Sequence, residues 1–133
     1  MTPPRVSVVL PVRDAAATVK RAARSILDST LREIELIVID DGSTDDSAKV
    51  VRQISDHRLR LIQQEALGVC AAANRGVAEA RAPVIARMDA DDYSHPARLE
   101  KQLLLLHDFG ADMVGCQVRI VDALGQAIES MQR

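Results

Sequence analysis

The stretch Val84-Ile85-Ala86-Arg87-Met88-Asp89-Ala90-Asp91-Asp92-Tyr93 begins as a mostly apolar run and ends in three carboxylates. Valine and isoleucine favour extended backbone, so residues 84–88 are predicted to form a short buried strand. In an open α/β sheet, ligands bind in the crevice outside the carboxyl ends of the strands, which is where these acids would lie. Side chains alternate along an extended chain, so Asp89 and Asp91 would point the same way.

Three carboxylates at one point repel each other unless a cation lies between them, and such oxygen ligands suit Mg²⁺ or Mn²⁺. The stretch therefore predicts a divalent-metal site that holds a phosphate-bearing ligand. The alternative is a solvated loop in which Asp92 or Ser94 caps a helix that starts near Pro96.

A second acidic pair, Asp40 and Asp41, follows another apolar run, residues 35–39. That run has four successive apolar positions without polar alternation, which is typical of a parallel strand covered on both faces. Asp41-Gly42 could also be a hairpin turn, but the pattern from 43 to 54 is helical and leaves no second strand for a hairpin. Because parallel strands end at the same edge of a sheet, both acidic clusters are expected to face one crevice.

The whole chain alternates between strand and helix patterns with short links, which predicts right-handed βαβ units on a mostly parallel sheet. The expected architecture is α/β, a three-layer αβα sandwich. Pro11 is expected to end the first strand. The predicted strands cover 5–10, 35–39, 58–63, 84–88 and 112–121, with a short last strand near 127–129; the predicted helices cover 19–27, 44–54, 69–81 and 96–108.

Composition narrows the class of protein. The 133 residues are 47% hydrophobic, enough for one globular domain. A net charge of −2 and 2% aromatic residues argue against a nucleic-acid surface. No apolar run approaches the roughly 20 residues of a membrane span and no signal peptide opens the chain, so the expected location is cytoplasmic, with the inner face of the membrane as a second option. Cys70 and Cys116 lack a CxxC partner and are expected to be reduced and buried.

Three ordered motifs resemble those of the family 2 glycosyltransferases, enzymes with the GT-A fold. They are Val6-Ser7-Val8-Val9-Leu10-Pro11-Val12-Arg13-Asp14, then Glu35-Leu36-Ile37-Val38-Ile39-Asp40-Asp41-Gly42-Ser43-Thr44-Asp45, then Asp89-Ala90-Asp91-Asp92. The segment from Gly68 to Gly76, with Asn74, and Pro96-Ala97-Arg98-Leu99 also match the pattern. The resemblance extends from Val6 to about Val121.

The resemblance implies a glycosyltransferase that moves a sugar from a nucleotide-diphosphate donor, UDP-linked, with inversion. The acceptor stays unknown, with a saccharide or a lipid-linked glycan as the options. Mn²⁺ or Mg²⁺ would bridge the donor diphosphate and the protein. The implied roles are as follows. Pro11, Val12 and Arg13 lie against the nucleotide, largely through backbone groups. Asp41 accepts a hydrogen bond from the base, and Asp40 beside it supports the loop or the ribose. Asp89 approaches the ribose hydroxyls, Asp91 binds the metal and Asp92 assists at the sugar-phosphate end.

The chain departs from the family pattern in two respects. Ala73 stands where members often have an arginine, and Arg75 follows Asn74 instead, so Arg75 is either a phosphate contact or a solvated side chain. The family's general base and closing loop lie downstream of the last strand predicted here, so the catalytic base is unknown and is expected to lie beyond Arg133. Residues 1–133 are therefore expected to be a single donor-binding domain, truncated before the acceptor-binding part and inactive alone. A sheet edge or apolar patch left bare would permit self-association.

Two other functions are compatible with acids at strand ends. One is a catalytically inert nucleotide-sugar-binding module. The other is a phosphoacceptor receiver domain, which needs an acidic pair after the first strand, an aspartate after the third and a lysine after the fifth. Here the acids follow the second and fourth strands, so the receiver is the weaker alternative.

Overall fold

The computed structural model describes residues 2–128, and the chain divides into two compact units, 1–101 and 102–133. The first unit contains the sheet and most of the helices. The elements are β1 (Val6–Val12), α1 (Val19–Leu27), β2 (Ile34–Asp41), α2 (Ser47–Arg52), β3 (Leu59–Gln64), α3 (Val69–Glu79), β4 (Val84–Arg87) and α4 (Arg98–Phe109). Among the described residues, no helix combines the length and apolar character that a bilayer span requires.

The sheet has four strands in the order β3-β2-β1-β4, and every pairing is parallel. Each residue of β1 and β2 is buried. Strands covered on both faces need no polar alternation, which explains the uninterrupted apolar runs in the sequence. The predicted parallel α/β sheet is confirmed.

Helices cover both faces of this sheet. The chain moves in one direction through α1 and α2 to β3, and then returns across β2 and β1 to β4, so right-handed crossovers place α3 on the opposite face from α1 and α2. Ala72 of α3 packs with Ile37 and Ile39. At Gly76 the helix comes so close to β1 that an added Cβ would lie 2.2 Å from Val9 Cγ1. The predicted three-layer αβα arrangement is thus present.

A buried carboxylate ties the elements together at the amino-terminal edge of the sheet. Glu35 accepts hydrogen bonds from Ser7 Oγ (2.6 Å), the Arg81 backbone N–H (2.7 Å) and Arg60 (3.2 Å). Burial works to raise the pKa of Glu35, but these donors outweigh it and the pKa is lowered. An open cleft also lies at this edge, and most of its charged groups already form ion pairs with one another. These groups lie at the opposite ends of the strands from the acidic clusters.

Pro11 does not end the first strand as expected, because β1 continues to Val12, which pairs with Asp40. The Val9 carbonyl accepts the Met88 N–H, so Val9 faces β4. Pro11, two residues later, faces the same side beyond the last residue of β4. Its missing N–H therefore removes no ladder hydrogen bond, and proline is tolerated inside a central strand.

The predicted fifth strand at 112–121 is absent from the described part of the chain. Among residues 102–128, the second unit instead has a single antiparallel bridge between Val121 and Ala127, closed by the turn at 122–125. Met113 and Val118 are 87% and 80% exposed. An apolar, β-branched segment becomes a strand only when a neighbour pairs with it, and the structure supplies none. The predicted last strand is reduced to that bridge at Ala127, and Glu129 lies outside the described residues.

The expectation of buried cysteines is wrong, because Cys70 and Cys116 are both free and exposed. Cys70 lies in the first turn of α3, whose buried side consists of Ala72, Ala73 and Gly76. Small residues on that side allow the helix to pack closely on β1, and Cys70 falls on the other side. The helix predicted from 44 begins only at Ser47, since the residues before it contact the loop that follows β1.

Candidate functional site

The carboxyl ends of the strands form one acidic edge. Pro11 and Val12 lie at the end of β1, Asp40 and Asp41 at the end of β2, and the segment 89–92 follows β4. Because β1 lies between β2 and β4, the two acidic clusters flank the end of β1 on the same edge. This is the place in an open α/β sheet where ligands bind. Both clusters therefore lie at the same edge of the sheet, and their convergence on one ligand stays a prediction.

Asp41 is only 3% exposed and receives three protein donors. Its Oδ1 accepts hydrogen bonds from Gln64 and the Leu67 N–H, and its Oδ2 accepts one from the Gly68 N–H, each at 2.9 Å. The bond from Gln64 leads these contacts in lowering the pKa of Asp41, and the charge of Arg13 adds to the effect. The carboxylate is thus an ionised group at the start of α3, where a helix N-terminus favours an anion.

Asp40 is equally buried and turns toward its own loop. It accepts hydrogen bonds from the Ser43 N–H (3.1 Å) and Gln63 (3.3 Å). Gly42 follows with φ +72°, and an added Cβ there would lie 2.8 Å from the Ala66 nitrogen. Only glycine permits both this backbone conformation and this close approach between the loops after β2 and β3.

The second acidic cluster is exposed and compact. Asp89, Asp91 and Asp92 each offer a carboxylate oxygen, and these oxygens lie within 4.8 Å of one another. Two oxygens on opposite sides of a Mg²⁺ ion are about 4 Å apart, so small rotations of exposed side chains would close the set around an ion. Burial raises the pKa of Asp92, and the charges of Asp91 and Asp89 raise it further. This mutual repulsion is what a cation would relieve, and the donor set fits Mg²⁺ or Mn²⁺.

The segment that follows these acids is fixed to α1. The Ser94 N–H donates to Ser25 Oγ at 2.9 Å, and the Arg21 guanidinium lies 4.6 Å from the centre of the Tyr93 ring. On the other side of the cluster, Arg87 forms a 3.8 Å ion pair with Asp89. Tyr93 thus helps to hold the acidic segment. No local pattern reveals this, since the partners are about 70 residues apart.

Asp14 is a site residue that composition and spacing alone do not single out. Its φ is +48°. Its Oδ1 accepts hydrogen bonds from the Thr44 N–H (2.7 Å), Thr44 Oγ1 (3.1 Å) and the Asp45 N–H (3.3 Å). The loop after β1 is therefore bound to the loop after β2. Hydrogen bonds between residues 30 positions apart, such as Asp14 and Thr44, leave no periodic pattern in the sequence.

Two other candidates lie differently. Arg75 pairs with Glu79 at 3.2 Å on the exposed side of α3. It follows Gly68 by seven positions, which is about 10 Å along a helix, so it is not among the residues gathered at the acidic edge. His95, near the acidic segment, is exposed and accepts the Ala97 N–H through Nδ1 at 3.1 Å. That contact belongs to the entry of α4.

The parallel αβα sandwich with acids at the carboxyl edge of its sheet has the architecture of the GT-A fold. Residues 7–132 match the family model described as glycosyl transferase family 2. The chain belongs to this family.

Two curated relatives illustrate the match. The succinoglycan biosynthesis protein ExoU of Rhizobium meliloti is 38% identical over 124 residues, which cover 91% of this chain and 35% of ExoU. The O-antigen biosynthesis glycosyltransferase WbnJ of Escherichia coli is 31% identical over 96% of this chain and 51% of WbnJ. The chain thus spans between a third and a half of the length of these relatives.

Solved structures share the fold. The mannosyltransferase PcManGT of Pyrobaculum calidifontis, in complex with GDP-Man and Mn²⁺, superposes with a TM-score of 0.71 at 27% identity, over 80% of this chain and 33% of that one. TarS 1–349 of S. aureus, in complex with UDP, superposes with a TM-score of 0.74 at 23% identity, over 89% and 38%. The second likeness shows the fold alone. Together with the family match, these findings decide against the receiver alternative.

Proposed function

We propose that this chain binds the donor substrate of a glycosyl transfer reaction, a nucleoside diphosphate sugar, together with Mn²⁺ or Mg²⁺ at the acidic edge. The observation that carries the proposal is the compact carboxylate set of Asp89, Asp91 and Asp92 on the same sheet edge as Asp41. The metal and nucleotide bound by PcManGT support it.

In this proposal Asp91 is the metal ligand, Asp89 lies toward the ribose hydroxyls and Asp92 toward the sugar phosphate. The cation would neutralise the charge that grows on the leaving diphosphate. The attraction between two opposite unit charges 4 Å apart is worth roughly 4 kcal/mol at an effective dielectric of 20, and a doubly charged cation increases this attraction. The chain itself supplies the oxygen ligands and holds them on a segment fixed at both ends.

Asp41 is proposed to hold the base. Its Oδ1 accepts two hydrogen bonds from the protein and its Oδ2 accepts one. A lone pair on Oδ2 is therefore left for one more hydrogen bond. The ring N–H of uracil or of guanine could donate to it. We propose UDP as the nucleotide, and a comparison with GDP is the direct test of that choice. Pro11, Val12 and Arg13 would border the nucleotide from the end of β1.

The proposed reaction is an inverting transfer to a saccharide or lipid-linked glycan. We assign no catalytic base to the described residues. A base beyond Arg133 stays a prediction, because Arg133 itself lies outside the residues that the structure describes. A contact of Arg75 with the phosphates and self-association also stay predictions.

The chain alone is expected to bind the donor without transferring sugar. An inert nucleotide-sugar-binding module would show the same binding by the chain. Sugar transfer by a protein that carries this chain together with an acceptor-binding part would favour the transferase, and donor binding without transfer by such a protein would favour the inert module.

Calorimetry on the chain tests the proposal. UDP should bind in the presence of Mn²⁺ and lose affinity when a chelator removes the ion. Asp91→Asn should weaken the Mn²⁺-dependent binding by roughly tenfold or more, since ligand-shell changes at metal sites commonly cost 10–100-fold. Asp28→Asn, which removes the same charge from the residue after α1, should bind as the wild type does. Binding of UDP that does not depend on the metal, or no binding of either UDP or GDP, would overturn the proposal.

A further inference from the structure

The loops after β1 and β2 are joined by six hydrogen bonds, a contact that we call the loop clasp. Its members are Asp14, Ala15, Ala16, Ser43, Thr44, Asp45 and Ser47. Three of the bonds end on one oxygen, Asp14 Oδ1. The backbone N–H groups of residues 14 to 16 provide the other three, to Ser43 Oγ (3.0 Å), Ser47 Oγ (2.9 Å) and Asp45 Oδ2 (3.0 Å).

Asp14 is the centre of the clasp and adopts an unusual backbone conformation. Its φ of +48° lies in the left-handed region, and within the described chain it is the only non-glycine residue there. Aspartate and asparagine tolerate this region better than most residues, and such conformations persist where surrounding contacts hold them. Asp14 is also exposed, so burial does not hold it in place.

The clasp fixes the residue that precedes Asp14. Arg13 follows Val12, which pairs with Asp40 in the ladder between β1 and β2, and it precedes the bonded Asp14. The backbone on both sides of Arg13 is therefore anchored to β2 and its loop. Residue 13 therefore lies at the acidic edge, one position after the end of β1 and between the strands that carry the two acidic clusters. Arg13 forms no ion pair within residues 2–128, so this cation is available to an anionic ligand.

We propose that Asp14 is a positioning residue that holds the Arg13 guanidinium ready to contact the phosphate groups of the bound nucleotide. This inference rests on the proposed function. It gives the Arg13 side chain a role that the resemblance, with its backbone contacts, does not. Ordering a flexible loop upon binding costs free energy and so lowers affinity. Because the clasp orders this loop before the nucleotide binds, loss of the clasp should weaken binding.

The test is a double-mutant cycle on UDP affinity with Mn²⁺ present. Asp14→Gly keeps the left-handed backbone and removes the acceptor, and should weaken UDP binding by about three- to tenfold. Asp14→Asn retains Oδ1 and should restore most of the affinity. Arg13→Gln should also weaken binding, and in that background Asp14→Gly should have little further effect. A purely structural role for Asp14 would give the same loss in both backgrounds and would overturn the inference.

Controls separate the failure modes. Thermal unfolding of each variant establishes that it is folded, and if Asp14→Gly does not fold, Ser43→Ala loosens the clasp from the other loop and should show a smaller loss that again depends on Arg13. Wild-type affinity in the folded Asp14→Gly or Ser43→Ala protein overturns the role of the clasp alone. No binding of either UDP or GDP to the wild-type chain overturns the proposed function and this inference together.

Discussion

The close contact between α3 and β1 gives a sharp prediction about Gly76. An alanine Cβ at this position would lie 2.2 Å from Val9 Cγ1 and 3.1 Å from Val9 Cγ2. Carbon atoms normally approach to about 3.5 Å or more, so roughly 1.3 Å of space would have to open. Val9 is completely buried and β-branched, so its side chain cannot rotate away freely.

The magnitude follows from two opposing terms. Overpacking a close-packed core costs about 1–3 kcal/mol and sometimes more, and the size of this clash favours the upper end. Alanine regains about 1 kcal/mol of helix propensity over glycine. Gly76→Ala should therefore lower the free energy of unfolding by about 2 kcal/mol, measured by urea denaturation.

Two further variants isolate the cause. Val9→Ala removes both Cγ atoms and should cost about 2 kcal/mol alone through the cavity it leaves. In the double variant the methyl group added at position 76 occupies part of that space. The loss of stability of the double variant should therefore be smaller than the sum of the two single losses, by at least about 1 kcal/mol. Ala78→Gly, at an exposed position of the same helix, measures the propensity term separately. Additive costs, or a Gly76→Ala protein as stable as the wild type, would refute the close packing of α3 on β1.

Two predictions concern charged groups away from the acidic edge. Glu35→Ala leaves Ser7 and Arg60 without their buried acceptor and should cost about 2–3 kcal/mol in denaturant unfolding, whereas a cost below about 0.5 kcal/mol would show the network to be unimportant. Arg58 lowers the pKa of Asp56 from 3.8 to about 2 through its side-chain hydrogen bond, so the ion pair stabilises the fold above pH 3.8 and the effect is lost as the pH falls toward 2. Asp56→Asn should be about 1–2 kcal/mol less stable near pH 6, and its difference from the wild type should disappear near pH 2; a difference that does not change with pH would contradict this.

The sequence predicts the sheet and its acidic edge because both depend on local patterns. Apolar runs before Asp40 and Asp89 mark parallel strands, and parallel strands necessarily end at one edge. The expectation that the strand before Asp89 is buried is wrong, because β4 is only partly buried and Ile85 is 38% exposed. What depends on neighbouring elements is harder to predict. Pro11 can remain in β1 because β4 stops two residues earlier on that side. The segment 112–121 has a strand-like composition, yet a strand also needs a partner, and composition does not provide one.

The candidate site also combines features that local sequence patterns predict with features that depend on neighbouring elements. Carboxylates at strand ends are visible in the sequence, and so are the glycines whose conformations their loops require. The bonds from Asp14 to Thr44 and from Ser94 to Ser25 join residues 30 and 69 positions apart. Such contacts arise only once the crossovers have brought the loops together, so they have to be read from the structure.

The most direct measurement of the central claim is a crystal structure of the chain with UDP and Mn²⁺, with the ion located by its anomalous scattering. We expect one Mn²⁺ ion bound by Asp91 between the carboxylates and the diphosphate, with the uracil N–H donating a hydrogen bond to Asp41. A nucleotide bound at the opposite edge of the sheet, or an ion that contacts neither Asp91 nor the diphosphate, would contradict it.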